Sequence, residues 1–256
     1  MKNGWLANMN DITYHDGNGL SSSDIKYLMR SPAHWKAKEH KDTPALIFGR
    51  AFHCAVLEPD RFADTRIIIP QCDRRTKAGK KEYDEFQELV DDASILMNEN
   101  DAVKIEGMAA SIDAATDMLT HGIAELSGFY NSKSIGELLK IRPDYLKENV
   151  MYDVKTCEDA RERAVMSSVR KYNYDLSAAY YLDVAEMIDG KRKYDRFIWI
   201  FVEKSPPYAV AIYEAHESLL ENGRDKVEIG LNAYKDAKLN DKFSGYSTEI
   251  IQLLGD

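Results

Sequence analysis

The stretch Ile141-Arg-Pro-Asp-Tyr-Leu-Lys-Glu-Asn-Val-Met-Tyr-Asp-Val-Lys-Thr156 constrains the fold more than any other part of the chain. Residues 150–156 read as a strand, in which successive side chains point to opposite faces. Val150, Tyr152 and Val154 then make an apolar face that packs on the core. Met151, Asp153 and Lys155 share the opposite, non-core face, so an acid and a lysine stand side by side. Asp144 ends the preceding strand after Pro143, and a tight return through 147–149 brings it beside Asp153. Two carboxylates and one ammonium so placed form a divalent-cation site with a charged neighbour. Mg²⁺ takes hard oxygen ligands and keeps several waters, which suits a site with few carboxylates. Such a site has the parts that phosphodiester hydrolysis requires: a metal to polarise a phosphoryl oxygen and a lysine to offset developing charge. The plain alternative is a surface hairpin with an Asp–Lys pair, which is common and contributes little.

The flanking sequence supplies the rest of a mixed α/β (α+β) architecture. Leu20-Ser-Ser-Ser-Asp-Ile signals a helix entry, with a hydroxyl or carboxylate cap ahead of Ile25, Leu28 and Met29. Residues 46–58 predict a buried helix closed by Pro59, and 80–99 and 101–120 predict two more. After Gly122 the period shortens, and 123–130, 135–142 and 150–156 predict an antiparallel meander. Helices follow at 158–170 and 174–188, then strands at 197–202 and 208–213 joined by Ser205-Pro-Pro, and a helix at 214–236. The expectation is one domain over 1–256 with a central mixed β-sheet flanked by helices. Its parts are a mainly helical N-terminal part (1–120), a β-meander core (121–213) and a C-terminal helix and tail (214–256).

Composition bounds the function. The longest apolar runs are six residues, at 197–202 and 208–213, against the roughly 20 needed to span a bilayer. The opening MKNGWLANMNDITY carries no secretory apolar segment, so no membrane partner is expected. Cys54, Cys72 and Cys157 are scattered, which points to a reducing cytoplasm and excludes a four-cysteine zinc or iron–sulfur site. Neither a Walker motif nor a G-x-S-x-G elbow is present. A net charge of −9 counts against nucleic acid as a partner only if charge is spread evenly. It is not. Arg74, Arg75, Lys77, Lys80 and Lys81 fall within eight residues, with Gly79 lending flexibility, and form a candidate phosphate-binding loop. A mobile, solvated loop is the alternative. Arg50 and Arg142 adjoin the other motifs and offer the planar donor fork that suits phosphate.

Five blocks in order carry a resemblance: Leu20-Ser-Ser-Ser-Asp-Ile with Ser31-Pro-Ala-His, Phe48-Gly-Arg-Ala-Phe-His-Cys-Ala-Val-Leu-Glu-Pro59, Cys72-Asp-Arg-Arg-Thr-Lys-Ala-Gly-Lys80, the Arg-Pro-Asp … Asp-Val-Lys-Thr stretch, and Tyr174-Asp-Leu-Ser-Ala-Ala-Tyr-Tyr-Leu-Asp183. Together they resemble the PD-(D/E)XK nuclease superfamily, and within it the exodeoxyribonuclease VIII (RecE-type) nuclease domain of phages and prophages. The resemblance implies a Mg²⁺-dependent exonuclease, with Mn²⁺ as a substitute. It would degrade linear double-stranded DNA from 5′ ends and leave 3′ single strands for phage-type recombination. It also implies a homo-oligomeric ring on DNA ends and a single-strand annealing protein as partner. By the same resemblance Asp144 and Asp153 are metal carboxylates and Lys155 is the catalytic lysine. His53 joins the metal or substrate site, and Glu125 is a further acid, with Glu58 and Glu137 as competitors. Without the resemblance His53 reads as a hydrogen-bonded histidine on a buried helix. Asn131 and Glu137 read as solvated. One departure stands out: Ser177 occupies the family's usual Gln position on the following helix, while Tyr181, one turn on, is kept. The competing readings are a RecB-like structure-specific nuclease and an inactive DNA-binding module with a residual fold.

Overall fold

The computed structural model describes residues 2–39, 43–91, 93–250 and 252; the remainder of the predicted N-terminal part and C-terminal tail lies outside the described residues. In chain order the elements are β1 (Gly4–Leu6), α1 (Asp11–Asp16), α2 (Ser22–Arg30), α3 (Pro32–Lys36), α4 (Pro44–Leu57), α5 (Pro59–Thr65), β2 (Arg66–Ile68), α6 (Lys77–Leu89), β3 (Ile95–Met97) and α7 (Glu99–Ala115). They continue with β4 (Ile123–Ala124), β5 (Ser127–Ser132), β6 (Glu137–Ile141), β7 (Tyr145–Lys147), β8 (Val150–Cys157), α8 (Glu162–Tyr172), α9 (Tyr174–Asp189), β9 (Arg196–Glu203), β10 (Val210–Glu214) and α10 (Glu217–Leu239). The strands form a five-stranded mixed sheet in the order β10-β9-β8-β7-β4, a three-stranded sheet β1-β5-β6 and the pair β2-β3.

The centre is the pair β8–β9, which is parallel. Parallel neighbours need a crossover, and α8 and α9 provide it. Both faces of this pair are covered. On one, Val150, Tyr152, Val154, Ile198 and Ile200 pack with Phe52 of α4 and Ile105 and Met108 of α7. On the other, Met151, Phe197, Trp199 and Phe201 pack with Leu176 and Tyr180 of α9 and with α2 and α10. The continuous apolar run 197–202 is what a strand buried on both faces requires. At Gly223 α10 closes on α9 so tightly that a Cβ would lie 2.2 Å from the Asp175 carbonyl oxygen.

Three expectations are corrected here. The predicted non-core face of strand 150–156 does not exist as such. Met151 is fully buried in the second core, so Asp153 and Lys155 emerge from a strand packed on both sides. The predicted strand 123–130 divides at Glu125, whose φ of 49° breaks the extended run. Its halves join different sheets, so the predicted meander is two hairpins, β5–β6 and β7–β8, with Asp144 between them. The predicted helix 80–99 stops at Leu89: Ala93 N–H and Ser94 Oγ both bond to Asp91 Oδ1, a local turn that competes with helix. Ile95–Met97 then pairs with β2, and Asp92 lies outside the described residues.

Candidate active site

The site forms where β7 begins. Tyr145 pairs with Tyr152, and beyond that register no strand among the described residues covers β8 on this side. Val154 therefore finds its partners elsewhere. Its N–H donates to Asp144 Oδ2 at 2.7 Å, and its carbonyl lies 2.8 Å from His53 Nε2. A carbonyl only accepts, so His53 donates from Nε2, and Nδ1 is the ring nitrogen left to face the site. That Nδ1 stands 3.6 Å from Asp144 Oδ2. A histidine that gives its second N–H to a backbone carbonyl is fixed in ring plane and tautomer, as metal-binding histidines are.

His53 comes from α4, which starts at a Thr43 cap with Pro44 in its first turn and packs on β8. Glu125 arrives from the break between β4 and β5. Its N–H donates to the Asp144 carbonyl at 3.0 Å, which holds it against the same loop. Ligand atoms of His53, Glu125 and Asp144 all lie within 4.8 Å of one another. Two carboxylate oxygens and an imidazole nitrogen suit a divalent cation, the oxygens favouring Mg²⁺ or Mn²⁺ and the nitrogen favouring Mn²⁺ of the two.

Asp153 stands outside that trio. Its Oδ1 is 2.5 Å from Lys155 Nζ. Burial pushes the Asp153 carboxyl up, against the pull of Lys155. Burial alone would lower Lys155, but Asp153 and Asp144 overcome it and raise the ammonium's pKa. Lys155 thus holds its charge. Burial and the adjacent Asp144 raise Glu125 well above the usual carboxylate range, although Arg142 Nε is 4.0 Å away.

This last shift has a sign. A carboxyl with a raised folded-state pKa binds more protons folded than unfolded, so it lowers stability as pH rises from its ordinary value near 4.5 towards the raised one. Metal-free Glu125→Gln is expected to unfold at a higher temperature than the wild type at pH 7, the gap closing towards pH 4.5. Melting curves in EDTA across that range check it. A constant gap would exclude this origin.

The predicted phosphate contacts divide. Arg142 is buried: it bonds Ser127 Oγ at 2.9 Å, Asp11 Oδ1 at 2.6 Å and the Met9 carbonyl at 2.8 Å, over the Tyr14 ring. It fastens the N-terminal segment beneath Glu125, which corrects its reading as a phosphate ligand. Arg50 is exposed on α4, one turn before His53. Lys77, Lys80 and Lys81 project from the first turns of α6 and not from a loop. Gly79 does not lend flexibility there: a Cβ would lie 2.2 Å from the Asp73 carbonyl oxygen, so glycine permits close packing. Arg75 is paired with Asp73, and Arg74 lies over the Tyr83 ring. Glu137 is not solvated, since Tyr234 and Lys238 both donate to it. Glu58 is held by Arg61.

On α9, burial raises the Tyr181 pKa, and the nearby Asp153 and Asp144 charges add to it. Ser177 is half-buried one turn earlier. Two residues escaped the sequence reading of the site. Tyr174 places its ring 5.4 Å from Lys155 Nζ, and Lys26 of α2 lies 5.8 Å from the same ring. The signal for Lys26 was its four-residue spacing from Ser22, which puts both on one helix face.

A mixed sheet with acids and a lysine at the end of its central hairpin defines a domain of the PD-(D/E)XK nuclease superfamily. Residues 21–253 match the family described as a PDDEXK-like domain of unknown function, DUF3799, and the chain belongs to that family. It is similar in fold to a provisionally assigned exonuclease from Eubacterium rectale, with a TM-score of 0.61, 14% identity and 93% of this chain and 88% of that one covered. A phage-related exonuclease from Haemophilus somnus 129PT matches with a TM-score of 0.37 and 11% identity, over 90% of this chain and 100% of that one. No curated protein matches the chain. No helix among the described residues is long and apolar enough to cross a membrane.

Proposed function

We propose that this protein is a divalent-metal-dependent exodeoxyribonuclease of the RecE type, cutting linear double-stranded DNA from 5′ ends to leave 3′ single strands for recombination. The observation that carries the reading is the orientation of His53, whose Nε2 is tied to the Val154 carbonyl so that Nδ1 turns towards Asp144 and Glu125, with Lys155 the next residue after Val154. His53, Asp144 and Glu125 would hold the cation, with Asp153 next to them. A divalent cation bound there supplies polarisation of a phosphoryl oxygen and a more acidic bound water. Lys155 donates to a phosphoryl oxygen or holds the attacking water, and Asp153 fixes the lysine's direction. Val154 keeps Asp144 and His53 in register through its own main chain.

In this reading Arg50 and the α6 cations Lys77, Lys80 and Lys81, with Arg74 and Arg75, follow the DNA backbone, and Ser177 and Tyr181 face the substrate. The reading includes a homo-oligomeric ring in the cytoplasm, acting with a single-strand annealing protein; cations gathered around the ring's central channel would reconcile the excess of 43 acids over 34 basic residues with DNA. The test uses 5′-phosphorylated linear duplex and closed circular duplex, each with Mg²⁺, Mn²⁺ or EDTA. Progressive loss of the linear substrate alone, and only with metal, is expected. Cleavage of the circle would make the protein an endonuclease, and no cleavage of either would leave a binding module.

A further inference from the structure

We propose that Lys26 is a second phosphate-binding cation of this site, facing Lys155 across the Tyr174 ring and receiving a phosphoryl oxygen of the bound strand. The inference deepens the nuclease reading and rests on it. Helix α2 packs on α9, and Lys26 of α2 reaches the ring of Tyr174, the first residue of α9. Lys26, Lys155 and Lys226 meet Asp153 and Asp175 here, with Asp144 also acting on Lys155. Asp153 is taken by Lys155 at 2.5 Å and Asp175 by Lys226 at 2.7 Å. Lys26, half-buried, has no ion pair among the described residues and contacts the Tyr174 face instead. Lys26 is therefore the ammonium of this group that no carboxylate among the described residues binds directly. Burial and the charge of Lys155 push the Lys26 ammonium down to about 8. An arriving phosphoryl anion is the partner that favours its charged form. A lysine whose stem merely covers an aromatic ring would show the same packing, and Lys26→Met keeps that stem while removing the charge.

The experiment compares wild type, Lys26→Met and Lys26→Arg on linear duplexes ending in a 5′-phosphate or a 5′-hydroxyl. Binding is read in Ca²⁺ by fluorescence anisotropy, and turnover in Mg²⁺. Methionine keeps the apolar stem, so Kd and KM are expected to rise about tenfold with kcat changed only a few-fold, and arginine to restore most of the loss. The slope of log affinity against log salt should fall by about one in Lys26→Met. A loss confined to the 5′-phosphorylated end places Lys26 on the terminal phosphate; an equal loss on both ends places it on an internal phosphodiester. Unchanged Kd, KM and salt slope in Lys26→Met would overturn the proposal, as would loss of binding that tracks loss of melting temperature and is not rescued by arginine. A wild type that binds duplex but cuts nothing with any metal would sink the nuclease reading alone, since the binding arm still reports on Lys26.

Discussion

Lys155→Ala is expected to give a folded protein that binds divalent metal and linear duplex but hydrolyses it at least roughly 10²–10³-fold more slowly. The lysine is the one ammonium of the site held charged by two acids at once, Asp153 and Asp144. Its donors are therefore oriented before substrate arrives, which is the condition under which a single donor contributes most to a charged transition state. Removing it has a second consequence. The Asp153 carboxyl, which burial already pushes up, loses the cation that opposes the shift. Lys155→Met loses the ammonium as alanine does but keeps an apolar stem beside Tyr174, so a loss shared by both variants belongs to the charge and not to packing. Single-turnover cleavage of labelled duplex with saturating Mg²⁺ measures the loss directly. Turnover within a few-fold of wild type in both variants would remove Lys155 from the mechanism.

Asp144→Asn is expected to abolish metal-induced stabilisation and cleavage together. One oxygen of Asp144 both accepts the Val154 N–H and stands 3.6 Å from His53 Nδ1. The amide can keep the first contact, so the fold should survive. It cannot keep the charge, and its NH₂ is a donor where the cation needs a lone pair. Outer partners of metal ligands already cost about 10–100-fold in affinity when removed, so a ligand should cost more. Without metal the variant should be no less stable than wild type at pH 7, because a carboxylate that opposes ionisation of Glu125 is gone. Melting temperatures in EDTA and in millimolar Mn²⁺, with calorimetric titration of Mn²⁺, make the test. Equal Mn²⁺ stabilisation of both proteins would show that Asp144 is not a ligand.

Lys155 and its partner Asp153 were legible because strand alternation is local. Residues 150–156 state their own period, and Asp153 and Lys155 fall on one face whatever surrounds them. The helices at 46–58, 174–188 and 214–236 and the buried strand at 197–202 were legible for the same reason, each within a few residues of the observed element. The short pieces were not. β2, β3 and β7 have three residues each, too few to show a period, and they are strands only because a partner lies alongside. The break at Glu125 was hidden too, since a single left-handed residue leaves no compositional trace when it is not glycine.

The sequence by itself determined the class of sheet, the acid-x-lysine pair and the helix that carries His53, because residue type and local period belong to neighbours along the chain. Tertiary structure decided which of the candidates meet. It set His53 on a carbonyl 101 positions away, turned Glu125 towards Asp144, buried Arg142 under the N-terminal segment and brought Lys26 to the Tyr174 ring. Arg142 and Lys26 show the reason most plainly. Arg142 had the local claim on phosphate and Lys26 had none, yet surroundings fixed by elements far away in sequence give Arg142 to a structural clamp and bring Lys26 beside Tyr174 and Lys155.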